Sequence, residues 1–119
     1  MSHRIDKIEN LIKEEMGLIF LLKLQHLQLG LLTITNVRVS ADLKIAKIYV
    51  SIFEKDRREE VLEKIKSKTK FIRTELAHRI TIKFVPDMKF FLDDTLDYVE
   101  KIEGLIKKIH ENDDKKGNE

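Results

Sequence analysis

The sequence contains no cysteine and no tryptophan, one proline and four glycines. Without cysteine, a disulfide framework and thiolate metal ligation are excluded, and a reducing compartment is compatible with the chain. With six Phe and two Tyr as the whole aromatic complement, the core has to be built from Ile, Leu and Val. The most apolar stretch, residues 17–22, is far shorter than the ~20 residues a membrane-spanning helix needs. The first residues, Met1-Ser2-His3-Arg4-Ile5-Asp6, lack the basic-then-apolar order of a secretory signal. A cytoplasmic protein with no membrane partner is expected.

Catalytic signatures are missing as well. His3, His26, His78 and His110 fall at no metal-ligand spacing, no phosphate-cradling Gly-x-x-x-x-Gly-Lys-Ser/Thr run occurs, and no nucleophile elbow is present. Asp93, Asp94 and Asp97 form the one dense carboxylate cluster, and the acidic first turn of a helix accounts for them. These observations predict a non-enzymatic protein with no catalytic residue, no metal, no cofactor and no small-molecule substrate.

What is there is one domain's worth of pattern. Ile5, Ile8, Ile12, Ile19 and Leu22 recur near the helical period and predict a first helix fading at residues 23–25. A leucine-rich connector with Gly30 follows. Thr33 to Val39 and Ile45 to Ile52 are rich in β-branched residues and flank Ser40-Ala41-Asp42, which predicts an antiparallel hairpin. Asp56 is placed to cap a helix whose stripe (Val61, Leu62, Ile65, Phe71, Ile72, Leu76) slips register at residues 67–70, so a break is expected there. Ile80, Ile82 and Phe84 alternate with polar neighbours and predict a third strand ending at Pro86, with residues 88–92 as a continuation. Asp94 or Thr95 then caps a last helix bearing Leu96, Val99, Ile102, Leu105, Ile106 and Ile109. Residues 1–110 read as one unit, and the charged residues 111–119 as a disordered tail. The fold class is α+β, order helix, strand, strand, broken helix, strand, helix, with a three-stranded sheet and helices packed on one face. No exposed apolar stripe calls for a dimer, so a monomer is expected.

The net charge of +2 conceals a division. Residues 64–83 hold seven bases against Glu75 alone, whereas residues 87–119 hold ten acids against six bases. The basic run carries only Glu75 as an interleaved acid, and it is concentrated at the break, where helix amides can meet phosphates. Lys64, Lys66, Lys68, Lys70, Arg73, Arg79 and Lys83 are therefore expected as phosphate contacts, with Lys44, Lys47, Arg57 and Arg58 behind them. Arg73 is the best single choice because a guanidinium can grip phosphate with two bonds, although Glu75 or an acid on a neighbouring element is an equally good partner for it. Phe71, Phe84, Phe90 and Phe91 are assigned to the core, which favours reading backbone and shape over bases.

Three blocks give this pattern a family likeness. Val39-Ser40-Ala41-Asp42-Leu43-Lys44-Ile45-Ala46-Lys47-Ile48-Tyr49-Val50-Ser51, then Phe71-Ile72-Arg73 with Leu76-Ala77, then Val85-Pro86-Asp87-Met88 with Phe90 and Asp93 resemble, in order and spacing, the bacterial ribosome-binding factor A proteins. The resemblance implies a fold like the type II KH domain. It also implies binding without catalysis to the small (30S) ribosomal subunit and its 16S rRNA during late assembly and pre-rRNA processing, with a greater need in the cold. The chain departs from the family at His26-Leu27-Gln28, at Lys68-Thr69-Lys70 where small residues are usual, and at Val99. It has no Gly-x-x-Gly loop, which argues against ordinary single-strand gripping by a KH domain. Two alternatives compete: a generic RNA or DNA chaperone, and a protein-interaction module working through the acidic residues 93–103.

Overall fold

The computed structural model describes residues 2–82 and 84–117, with side chains at all of these except 2, 96 and 111–117. Helix α1 (Ser2–Lys23) is followed by a 3-10 turn (Gln25–Leu27), strands β1 (Leu32–Val39) and β2 (Ile45–Ile52), and a second 3-10 turn (Lys55–Arg57). Helices α2 (Arg58–Ser67) and α3 (Thr69–Arg79) come next, then β3 (Asp87–Leu92) and α4 (Thr95–Gly117). The element order is the expected one.

On α1 the buried positions Glu9, Ile12, Met16, Ile19 and Phe20 follow the helical period. They lie over the edge strand β1, and α1 also meets α3, while α2 meets β3. In β1 the buried residues are Ile34, Val37 and Val39, and the step of three from Ile34 to Val37 cannot be met by strict alternation. A bulge between Ile34 and Asn36 absorbs the extra residue, after which Val37 pairs with Ile48 and Val39 with Ala46. The central strand β2 buries Ala46, Ile48, Val50 and Ile52 on one face. The sheet order is β1-β2-β3, with β1 antiparallel and β3 parallel to β2. One face of the sheet is thus covered by α1, α2 and α3, and the other is left open.

The helix break falls at Lys68, whose φ of −104° and ψ of 12° lie in the bridge region open to any residue. No positive φ is required, so the chain turns from α2 to α3 without a glycine, and Ile65 and Ile72 stay buried on either side. Positive φ is needed elsewhere. Gly30 (+72°) takes it at no cost, whereas Gln28 (54°) and Leu43 (62°) take it against the preference of L-residues.

Four expectations need correcting. The third strand is Asp87–Leu92, the segment expected only as a continuation, and the described residues among 80–85 lie outside it. Ile80 is the extended cap of α3, and the ladder with β2 opens at Ile45 and Asp87, immediately after buried Pro86, which has no N–H to give it. Asp56 does not cap α2, because it lies inside the 3-10 turn and Arg57 precedes the helix without a side-chain cap bond. Of the four phenylalanines assigned to the core, only Phe90 is buried. Phe91 faces away from it by strand alternation, and Phe71 and Phe84 are also exposed. Finally, an exposed apolar stripe does exist. Val99, Ile102, Leu105, Ile106 and Ile109 on α4 lie in solvent, since α1, α2 and α3 already occupy the covered face of the sheet. The helical backbone of α4 runs past residue 110, to Gly117.

Candidate nucleic-acid interface

The predicted cations divide into those the fold uses and those it leaves unpaired. Arg58, first residue of α2, forms a two-bonded pair with Asp97 of α4, its Nη2 donating to Oδ1 at 2.9 Å and its Nη1 to Oδ2, while Nε donates to the Ile52 carbonyl. The hydrogen bonds between them hold Asp97 below the ordinary carboxylate range and raise the guanidinium. Arg57 pairs with Glu60 at 2.9 Å and Glu54 at 3.5 Å and donates to the Gln28 carbonyl, tying α2 to the connector after α1. Lys64 bonds the Leu27 carbonyl at 3.2 Å and faces Glu60 at 3.7 Å. Arg79 reaches Glu15 of α1 at 3.5 Å. The acids missing from the basic run are thus supplied by other elements and by Glu60, just upstream of it. For Arg57, Arg58, Lys64 and Arg79 the charge is engaged in holding the fold.

Lys66, Lys68 and Lys70 differ. They bracket the break, and among the described residues none has an ion pair or a side-chain hydrogen bond. Lys70 and Arg73 are one turn apart on α3, hence on one side of it. Arg73 donates to the Val85 carbonyl at 2.7 Å and faces Asp87 at 3.4 Å, so the acid-partner alternative for it is realised. Its side chain is still about half exposed (47%), and such a surface pair is weak and salt-screened.

Arg73 also lines a cleft of about 1070 Å³ between the start of α1, the hairpin turn and the approach to β3. Arg4, Lys7 and Lys44 share that lining, against the two acids Asp42 and Asp87. Asp42 is engaged by the Ser40 hydroxyl at 2.6 Å and the Lys44 amide at 3.1 Å, which lower its pKa. A positive track therefore runs from the break at Lys68, by Lys70 and Arg73, to the cleft. Arg4 and Lys7 were not predicted for it; only tertiary packing brings the start of α1 to the hairpin turn. Lys47 is apart from this track, on the open face of the sheet, and Lys83 lies outside the described residues.

Two members of the carboxylate cluster have partners within the fold. Asp93 accepts from the Thr35 hydroxyl and, at 2.9 Å, from the Thr95 amide at the start of α4, and these bonds lower its pKa. Asp97 is held by Arg58, as above. Among the described residues no group of carboxylates and histidines is arranged to hold a metal ion, and no helix is long and apolar enough to cross a membrane.

Comparisons with known proteins agree with this architecture. The family model described as ribosome-binding factor A matches residues 4–106. The ribosome-binding factor A of Macrococcus caseolyticus is 36% identical over 111 residues, covering 92% of this chain and 97% of that protein. That of Brevibacillus brevis is 37% identical over 108 residues, covering 89% and 88%. The crystal structure of ribosome-binding factor A from Thermus thermophilus superimposes with a TM-score of 0.63 over 74% of this chain and 94% of that one, at 24% identity. A second set of Thermus thermophilus coordinates, fitted into the cryo-electron microscopy map of a 30S complex, does so with a TM-score of 0.58 over 71% and 89%, at 23% identity. With a family model matched over most of its length and relatives more than one third identical, the chain belongs to the ribosome-binding factor A family.

Proposed function

We propose that this protein is a cytoplasmic assembly factor, without catalytic activity, that docks its basic track on 16S rRNA of the immature small ribosomal subunit. The observation that carries the reading is the division of its cations. Four of the predicted cations are tied down within the fold, while Lys66, Lys68 and Lys70 stand without partners around a helix break, the last of them one turn from Arg73, which lines the cleft. Unpartnered lysines keep their full attraction for phosphate and release counterions from RNA when they bind. The Thermus thermophilus relative fitted into a 30S complex supports the choice of subunit. Arg73 joins the contact through the part of its guanidinium left free, since Val85 and Asp87 engage only its Nη2 and the side chain is about half exposed.

The test is sedimentation of the tagged protein through gradients of ribosomal particles at two salt concentrations. Co-migration with free small subunits, lost as salt rises and weakened by Lys66→Gln, Lys68→Gln and Lys70→Gln together, supports the reading. Equal binding to any folded RNA, with no preference for the subunit, supports the chaperone alternative instead. A protein-interaction role for α4 has one specific observation behind it, the exposed Val99–Ile102–Ile106–Ile109 stripe. It predicts binding that is indifferent to salt and to the three lysines.

A further inference from the structure

The open face of the sheet has an organisation that the basic track does not use. The register sets Arg38 opposite Lys47, and Lys47 opposite Lys89. These three cations, one from each strand, form a row across the sheet, spanning about 10 Å at the usual strand spacing. All three are exposed, and among the described residues none has an ion pair or a side-chain hydrogen bond. Two residues further along β2, the next outward row sets Asn36 opposite Tyr49, and Tyr49 opposite Phe91. The two rings stack, with centroids 5.6 Å apart and planes inclined by 27°. Tyr49 is partly exposed, and Phe91, on the edge strand, is 40% exposed. Two residues of strand span about 6.5 Å, the scale on which a nucleotide's phosphate and its base are separated.

We infer that this face is a second RNA site, which takes an unpaired stretch of RNA. Its bases extend the Tyr49–Phe91 stack, and its phosphates lie along Arg38, Lys47 and Lys89. The inference rests on the small-subunit reading and deepens it. The basic track grips backbone, while the sheet face adds contacts that only unstacked bases can make. The chemistry selects RNA over a protein partner because three unneutralised cations lie beside the rings. The acids flanking the face are engaged, Asp87 by Arg73 and Asp93 by Thr35 and Thr95. Aromatic faces accept any base, so the site favours single strands without strict sequence preference. A duplex, with its bases stacked inside, gains only the phosphate contacts.

The test uses the full chain, an eight-nucleotide pyrimidine RNA and a blunt RNA duplex, titrated by fluorescence anisotropy. Tyr49→Leu with Phe91→Leu keeps apolar bulk on the sheet and removes the rings. It is expected to weaken the single strand about tenfold or more and to leave the duplex within about twofold. Arg38→Gln, Lys47→Gln and Lys89→Gln together should lower the salt slope for the single strand by about 2. A readout that needs no ring-deleted protein is intrinsic fluorescence. With Tyr98→Phe, Tyr49 is the sole tyrosine and there is no tryptophan, so stacking should quench its emission on adding the octamer.

Wild-type affinity in the double-leucine protein, or no quenching of Tyr49, overturns the inference while leaving small-subunit binding by the lysine track intact. Loss of subunit co-sedimentation in the double-leucine protein with octamer binding unchanged also overturns it, and makes the occupant a ribosomal protein. If the wild type binds neither octamer nor subunit, both readings fall.

Discussion

Glu9 is the one acidic residue buried in the core among the described side chains, 9% exposed on the inner face of α1. Its Oε2 accepts from the amide of Val39 at 2.8 Å. Val39 is the last residue of β1, an edge strand, and its N–H faces away from the sheet ladder, so no strand can satisfy it. The carboxylate therefore does for this edge what a further strand would do, and it locks α1 to the hairpin. Replacing Glu9 by Ala leaves a buried amide without an acceptor. A hydrogen bond to a charged group is worth about 1.5–3 kcal/mol, and an orphaned buried donor costs a similar amount. The relief of no longer burying a charge works in the opposite direction. The expected net loss is about 2 kcal/mol, or about 8 °C in Tm for a chain of this size. Glu9→Gln keeps an acceptor without the charge and should lose about 1 kcal/mol. Urea unfolding gives the two stabilities, and hydrogen exchange gives a local readout. The Val39 amide should exchange about thirtyfold faster in Glu9→Ala, as 2 kcal/mol implies, with β2 amides less affected. If Glu9→Ala stays within about 0.5 kcal/mol of wild type and Val39 exchanges no faster, the locking role is refuted.

Three further outcomes follow from the structure. Gln28 is exposed and left-handed, so Gln28→Gly should stabilise the protein by about 1 kcal/mol in urea unfolding; Arg57 holds only the main-chain carbonyl there. Gly30→Ala should destabilise it by at least about 1 kcal/mol, because the position has φ of +72° and an added Cβ would lie 2.5 Å from Glu54 Oε1. Asp93, Asp97, Asp42 and Glu60 all have folded pKa values below their ordinary ones. Each therefore contributes stability that is present above the ordinary carboxylate pKa, near 4, and is lost as pH falls below it through the folded value. Thermal melts should show Tm falling between pH 4 and pH 2, with a shallower fall in Asp93→Asn; an identical slope in that variant would contradict the assignment.

How much of this was legible in the sequence differs from element to element. The hairpin was, because Val37, Val39, Ile48, Val50 and Ile52 announce their faces by alternation and Ser40-Ala41-Asp42 supplies the turn. The break at Lys68 was too, because the apolar stripe changes register there. The third strand was misplaced since Ile80, Ile82 and Phe84 alternate as well as Met88, Phe90 and Leu92 do. Only pairing with β2 decides between them, and pairing is a tertiary fact. The same limit applies to the site. Charge density showed the basic run, yet which of its members are engaged depends on Glu15 and Asp87, which lie on other elements. The row of Arg38, Lys47 and Lys89 was missed apart from Lys47, because nothing local connects residues that only the sheet register brings together. The freedom of α4 was missed for a related reason: its stripe looks like any core-facing helix until α1, α2 and α3 have filled the available face.

The most direct measurement of the central claim is the salt dependence of binding to purified free small subunits, for the wild type and for Lys66→Gln, Lys68→Gln and Lys70→Gln combined. If these three unpaired lysines contact rRNA phosphates, the slope of log K against log salt should fall by about 2 to 3 in the triple variant. Arg57→Gln, which removes a cation already paired within the fold, should leave the slope near the wild-type value. A triple variant with wild-type slope and affinity would contradict the account.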